Sequence, residues 1–81
     1  MGGGYMNNKR RAALSEAVSM ITRASVIING VCDNERDAVD NYPENLQGTE
    51  KFEAMEEAAD SLDSAVEKIE EAKEHIESAM R

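Results

Sequence analysis

The sequence predicts an all-α fold: an antiparallel two-helix hairpin that dimerises into a four-helix bundle. Three observations carry this reading. Apolar residues recur at alternating three- and four-residue steps through two long stretches, the pattern of an amphipathic helix rather than a strand. The single proline of the 81 residues lies between those stretches, at position 43. Aromatics make up 4% of the chain and Trp is absent, which argues against β architectures built on aromatic and β-branched strands.

Residues 1–7 read as a flexible lead, because three consecutive glycines at positions 2–4 are entropically expensive to order. Met6 reads as a second possible start. The first helix is expected over about residues 8–42, with Asn7 or Asn8 as N-cap. Leu14, Ile21, Ile28, Glu35 and Tyr42 fall on one heptad position, and Val18, Ser25, Cys32 and Val39 on another four residues later. Ala17, Ala24, Val31 and Ala38 lie beside them. The phase holds on both sides of Gly30, so one continuous helix is predicted despite a cost of about 1 kcal/mol for a helical glycine. Gly30 would then mark a close helix approach or a slight bend.

Tyr42 precedes Pro43, whose ring disfavours the helical region for the residue before it, so the helix stops there. Residues 43–48 form the loop. Within it the expectation is that Leu46 folds back to plug the hairpin end beside Tyr42 and Phe52, while Asn41, Asn45 and Gln47 cap loose backbone groups. The alternative is a partner-binding loop centred on Leu46. Thr49 is a good N-cap for the second helix, expected over about 49–80, with Glu50 and Glu53 at its positive end. Met55, Leu62, Ile69 and Ile76 repeat every seven residues, with Phe52, Ala59, Val66, Lys73 and Met80 as companions. Ala58, Ala65, Ala72 and Ala79 make a ladder at the same period, read as the mark of a tightly packed seam.

Two helices of about 45–50 Å joined by a short loop predict an antiparallel pair. The net charge of -8 falls entirely in the second half: residues 1–43 balance, whereas residues 44–81 are strongly acidic. The Lys9–Arg11 cluster would then lie near the acidic Glu70–Glu77 segment. A two-helix hairpin buries little area and is marginal alone. Val26, Ile27 and Val31 add apolar surface around helix 1 that helix 2 cannot cover in full, which predicts self-association through these three residues.

The stretch Asp40-Asn41-Tyr42-Pro43-Glu44-Asn45-Leu46-Gln47-Gly48-Thr49-Glu50, followed by Met55-Glu56-Glu57-Ala58, resembles a recurring pattern in small acidic helical proteins of bacteriophages and prophages of gut-type bacteria. The resemblance covers about residues 12–80 and is most specific in the loop. It implies a mobile-element origin and an intracellular setting, and no particular activity. Lys51-Phe52 departs from the pattern, in which an Arg-Gly pair often follows the glutamate, and the basic run at 9–11 is a second departure.

Catalytic chemistry is not expected. Cys32 is the lone cysteine, sits on the apolar stripe and reads as a buried, inert thiol. His75 is the lone histidine; with Ala72 three residues before it, the Glu-x-x-His pair of helical di-iron sites is absent. Asp33-Asn34-Glu35-Arg36-Asp37 opens like a calcium loop but has Ala38 where the sharp turn needs glycine. There is no Ser-His-Asp set and no phosphate loop. No metal, cofactor or catalytic residue is therefore assigned. Nucleic acid is excluded as a partner by a net charge that repels phosphates, and membrane by the lack of any long apolar run.

The functional expectation is thus a cytoplasmic, non-enzymatic protein that binds other proteins or itself. The acidic face of helix 2 admits two readings. Its carboxylates, among them Glu56, Asp60, Glu67 and Glu74, are either a solubility surface or an imitation of DNA phosphates offered to a basic host protein, such as a defence or DNA-processing enzyme. A structural or virion-assembly component would share the same sequence features.

Overall fold

The computed structural model describes residues 6–81 and contains two long helices in contact. Helix α1 spans Asn8–Asp40, a single turn of 3-10 helix spans Glu44–Leu46, and α2 spans Glu50–Met80. Asn7 caps α1 by accepting a 2.8 Å hydrogen bond from the Arg10 amide. Thr49 caps α2 by accepting one of 3.3 Å from the Phe52 amide, while its own hydroxyl donates to the Leu46 carbonyl at 2.8 Å. Helix α1 ends two residues before Tyr42. Asn41 has already left helical geometry, and its backbone N–H and its side-chain amide both donate to the Asp37 carbonyl, at 3.0 and 2.9 Å.

The helices are antiparallel: Tyr42 meets Phe52, Cys32 meets Ala59 and Ser25 meets Glu70, so one number rises as the other falls. The seam is built from the two predicted heptad rows of each helix. Cys32, Phe52 and Ala59 are its buried apolar residues, with Ser25 buried beside them. Leu14, Val18, Ile21, Ile28, Met55, Leu62, Val66 and Ile69 are half-buried along it.

Such a rod has little interior. Its radius of gyration is 18.4 Å, against about 12 Å for a compact chain of this length. Its accessible surface is 6053 Å², against about 4,800 Å² for a typical folded monomer of this mass.

Four expectations are corrected here. Helix α1 runs unbroken through Gly30, but a Cβ there would meet nothing within 4 Å, so the glycine marks no close approach. The plug at the hairpin end is the tilted Tyr42–Phe52 pair, with ring centroids 5.4 Å apart. Leu46 is 40% exposed instead, because the 3-10 turn spends its carbonyl on Thr49 and leaves the side chain outside. Ala59, one residue after the ladder, is the alanine of the seam; Ala58, Ala72 and Ala79 are exposed. Finally, no ion pair among the described residues joins Lys9, Arg10 or Arg11 to α2. The register sets Arg11 level with the end of α2, past Glu77, and its guanidinium donates to the Met6 carbonyl at 3.1 Å.

Candidate functional site

The hairpin has two long flanks, and one cross-helix contact fixes which rows share each flank. On a helix, a residue four positions after a seam residue turns about 40° one way, and a residue one position before it turns about 100° the other way. Arg36 follows Cys32 by four, and Asp63 follows Ala59 by four. The Arg36 guanidinium donates to Asp63 and, at 2.9 Å, to Asp60. Thr22, Asn29 and Arg36 therefore share a flank with Glu56, Asp63, Glu70 and Glu77. The opposite flank is left to Ala17, Ala24, Val31 and Ala38 of α1 and to Ala58, Ala65, Ala72 and Ala79 of α2.

The first flank is polar and tied together. Cys32 Sγ lies 3.3 Å from Asp63 Oδ1 and 3.5 Å from the Ala59 carbonyl oxygen. Burial pushes the Cys32 thiol up from its ordinary value, and the bond to the Asp63 carboxylate pushes it the same way. Arg36 opposes this without prevailing, so the thiol is held protonated, the reverse of what a nucleophile needs. The bond from Arg36 holds the Asp63 carboxyl below its usual range, and the two aspartates raise the Arg36 guanidinium further. Ser25 Oγ lies 3.5 Å from Glu70 Oε2 on the same side.

Glu56, Asp60, Glu67 and Glu74 are all exposed on or next to this polar flank. Asp60 is not a free carboxylate, because Arg36 occupies it. The Arg36 pair is the interaction that sequence reading missed. Its signal was present as the i,i+4 spacing of Cys32 and Arg36, but the partner could be named only with the register known.

The second flank is apolar. Beyond its inner rows lie Ala13, Met20 and Ile27 on α1, so that 13, 17, 20, 24, 27 and 31 form a second heptad seam. Met20 and Ile27 are each 64% exposed and Val31 is 47% exposed. The matching outer row of α2 is Ala54, Ser61, Lys68 and His75, and Lys51 extends the inner alanine row. None of these rows contains an acid. Glu35, half-buried, is the one carboxylate on the seam rows beside this flank; on its outer side the next rows carry Glu16 and Asp37 on α1 and Glu50, Glu57 and Glu71 on α2. Val26 is 67% exposed but lies four residues after Thr22, on the polar side, so Val26, Ile27 and Val31 do not form one patch.

His75 is exposed, and the Asp33–Asp37 oxygens ride on a continuous helix. Among the described residues no His, Cys, Asp and Glu side chains gather into a metal-sized group, and no pocket is formed. No described helix is long and apolar enough to cross a membrane. No protein-family model, curated protein or solved structure matches the chain.

Proposed function

We propose that this chain is a non-enzymatic, self-assembling helical protein of phage or mobile-element origin, which acts by binding proteins through its helical flanks and first of all binds itself. The supporting observation is the second heptad seam, which leaves Met20, Ile27 and Val31 open to water on a rod that buries few side chains. Exposed apolar rows of this length on a short chain mark an interaction surface. The origin rests on the resemblance of the Asp40–Glu50 loop.

Sedimentation equilibrium tests the reading. A dimer or larger assembly is expected, and Ile27→Glu should convert it to a monomer of reduced stability, since a charge buried without a partner is strongly unfavourable. A stably folded monomer of the parent chain would overturn it.

A second reading, the acidic DNA mimic, draws on the segregation of carboxylates into contiguous outer rows. Density weighs against it. Helix α2 presents roughly one acid per 4 Å of its length, whereas duplex DNA carries one charge per about 1.7 Å. Arg36 also neutralises the middle of the row. Replacing Glu56, Asp60, Glu67 and Glu74 by Gln should weaken binding to a basic protein by orders of magnitude if the mimic reading holds, and leave association intact if it does not.

A further inference from the structure

We propose that a second copy of this chain covers the acid-free flank, with the two loops at the same end, so that α1 of each protomer lies on α2 of the other. The inference deepens the self-association reading and rests on it. Three observations point to this occupant and arrangement.

The first is charge. The chain carries 17 acids against 9 Lys and Arg, yet no acid lies on the four rows of this flank. Two copies joined here keep their carboxylates on the outer flanks and the bundle perimeter. Joining them through the opposite flank would bring the Glu56, Asp63, Glu70 and Glu77 rows of both copies into the interface, where carboxylates buried without partners are costly.

The second is area. The chain exposes roughly 1,200 Å² more surface than a typical folded monomer of its mass, and a standard protein interface takes about 800 Å² from each partner. One such interface brings the chain back to the ordinary range.

The third is size complementarity, which selects between the two face-to-face arrangements that twofold symmetry allows. With loops at opposite ends, α1 packs on α1 and α2 on α2, setting large residues against large and alanine against alanine. With loops at the same end, the symmetry axis runs along the rod and preserves each level. Met20, Ile27 and Val31 of one protomer then lie over the stretch of α2 that carries Ala58, Ala65 and Ala72 in the other. The three large side chains of this flank then each meet alanines instead of one another, which is how packed layers reach interior density without voids.

Two measurements test this on the full chain. In sedimentation, Ala72→Glu should weaken the dimer roughly a hundredfold or more, whereas Ser64→Glu, on the outermost row of the same helix, should leave it intact. Ala72 is exposed in the hairpin alone, so dissociation or unfolding of the Ala72→Glu chain equally supports burial of this flank in the assembly. A dimer as tight as that of Ser64→Glu overturns it. A nitroxide on Asn45→Cys then reads the arrangement by pulsed electron-electron distance measurement, Cys32 being shielded by burial. Loops at the same end give a separation below about 30 Å, and loops at opposite ends give about 50 Å or more. The long distance overturns the arrangement while leaving self-association standing; a folded monomer of the parent chain overturns both.

Discussion

Arg36 of α1 and Asp60 of α2 are joined by a 2.9 Å ion pair, and the same guanidinium donates to Asp63, one turn further along α2. The fork ties the helices together at the edge of the seam, next to the buried Cys32. Its side chains are 40% and 70% exposed for Arg36 and Asp60, so water and salt weaken the attraction.

Arg36→Gln is therefore expected to lower the thermal midpoint modestly, and the difference from the parent should shrink as salt is added. Melting curves at low and high ionic strength check this. A midpoint unchanged at low salt would show that the fork contributes nothing to the pairing of the helices.

The same fork makes acid sensitivity assignable. Arg36 holds the Asp63 carboxyl below its unfolded-state value. A depressed carboxyl binds its proton less readily in the folded chain than in the unfolded one. Its contribution is complete above the ordinary carboxylate range and is lost as pH falls through the lower, folded-state value. Asp63→Asn should thus be less stable than the parent at neutral pH, with the gap closing under acid. Urea unfolding of both chains across acidic pH reads it, and a gap that is constant with pH removes the assignment.

Most of the fold is legible in the sequence, and the reason is periodicity. Leu14 through Tyr42 and Phe52 through Met80 each keep a three-four rhythm that only a helix turns into a stripe, and Tyr42-Pro43 and Thr49 place the break. Ala59 shares its heptad row with Phe52 and Val66 and is legible as seam, whereas the Ala58 ladder repeats at the same period one residue away and lies outside it. Features that depend on how the two helices slide past one another are not legible in this way. The Arg36 fork needs the register, which the Tyr42–Phe52 contact and the loop geometry set together. The second seam through Met20 and Ile27 becomes visible once the first is known to be occupied by α2. Leu46 escaped because a hydrophobic loop residue looks like a plug until the turn's hydrogen bonds fix its backbone.

Gly30 offers a gain in stability. It lies inside a continuous helix, is exposed, and an added Cβ would touch nothing within 4 Å. Its backbone does not adopt positive φ. Gly30→Ala should then raise stability by about 0.5–1 kcal/mol, since alanine gives up less freedom on entering a helix. Chemical denaturation measures it. Destabilisation would mean that another chain approaches the backbone here.

Ala59 tests the seam itself. It is 0% exposed, at the point where Cys32 Sγ approaches its carbonyl oxygen. The helices can run this close because nothing larger than a methyl group stands between them. Ala59→Leu would add bulk to a position already in contact on all sides, and the slender rod has no cavity to take it up. The helices must separate or α2 must rotate, and either movement draws Asp63 away from Arg36 and Phe52 away from Tyr42. A loss of about 1–3 kcal/mol is expected. Leucine is as good a helix former as the site requires, so the loss would come from packing and not from propensity. Ser64→Leu supplies the comparison: Ser64 is exposed on the outer face of the same helix, and its replacement should change stability by no more than about 0.5 kcal/mol. Urea unfolding of the two variants under identical conditions separates these outcomes. Equal stabilities would mean that α2 presents a different row to α1 in solution, and the polar and apolar flanks would have to be reassigned with it.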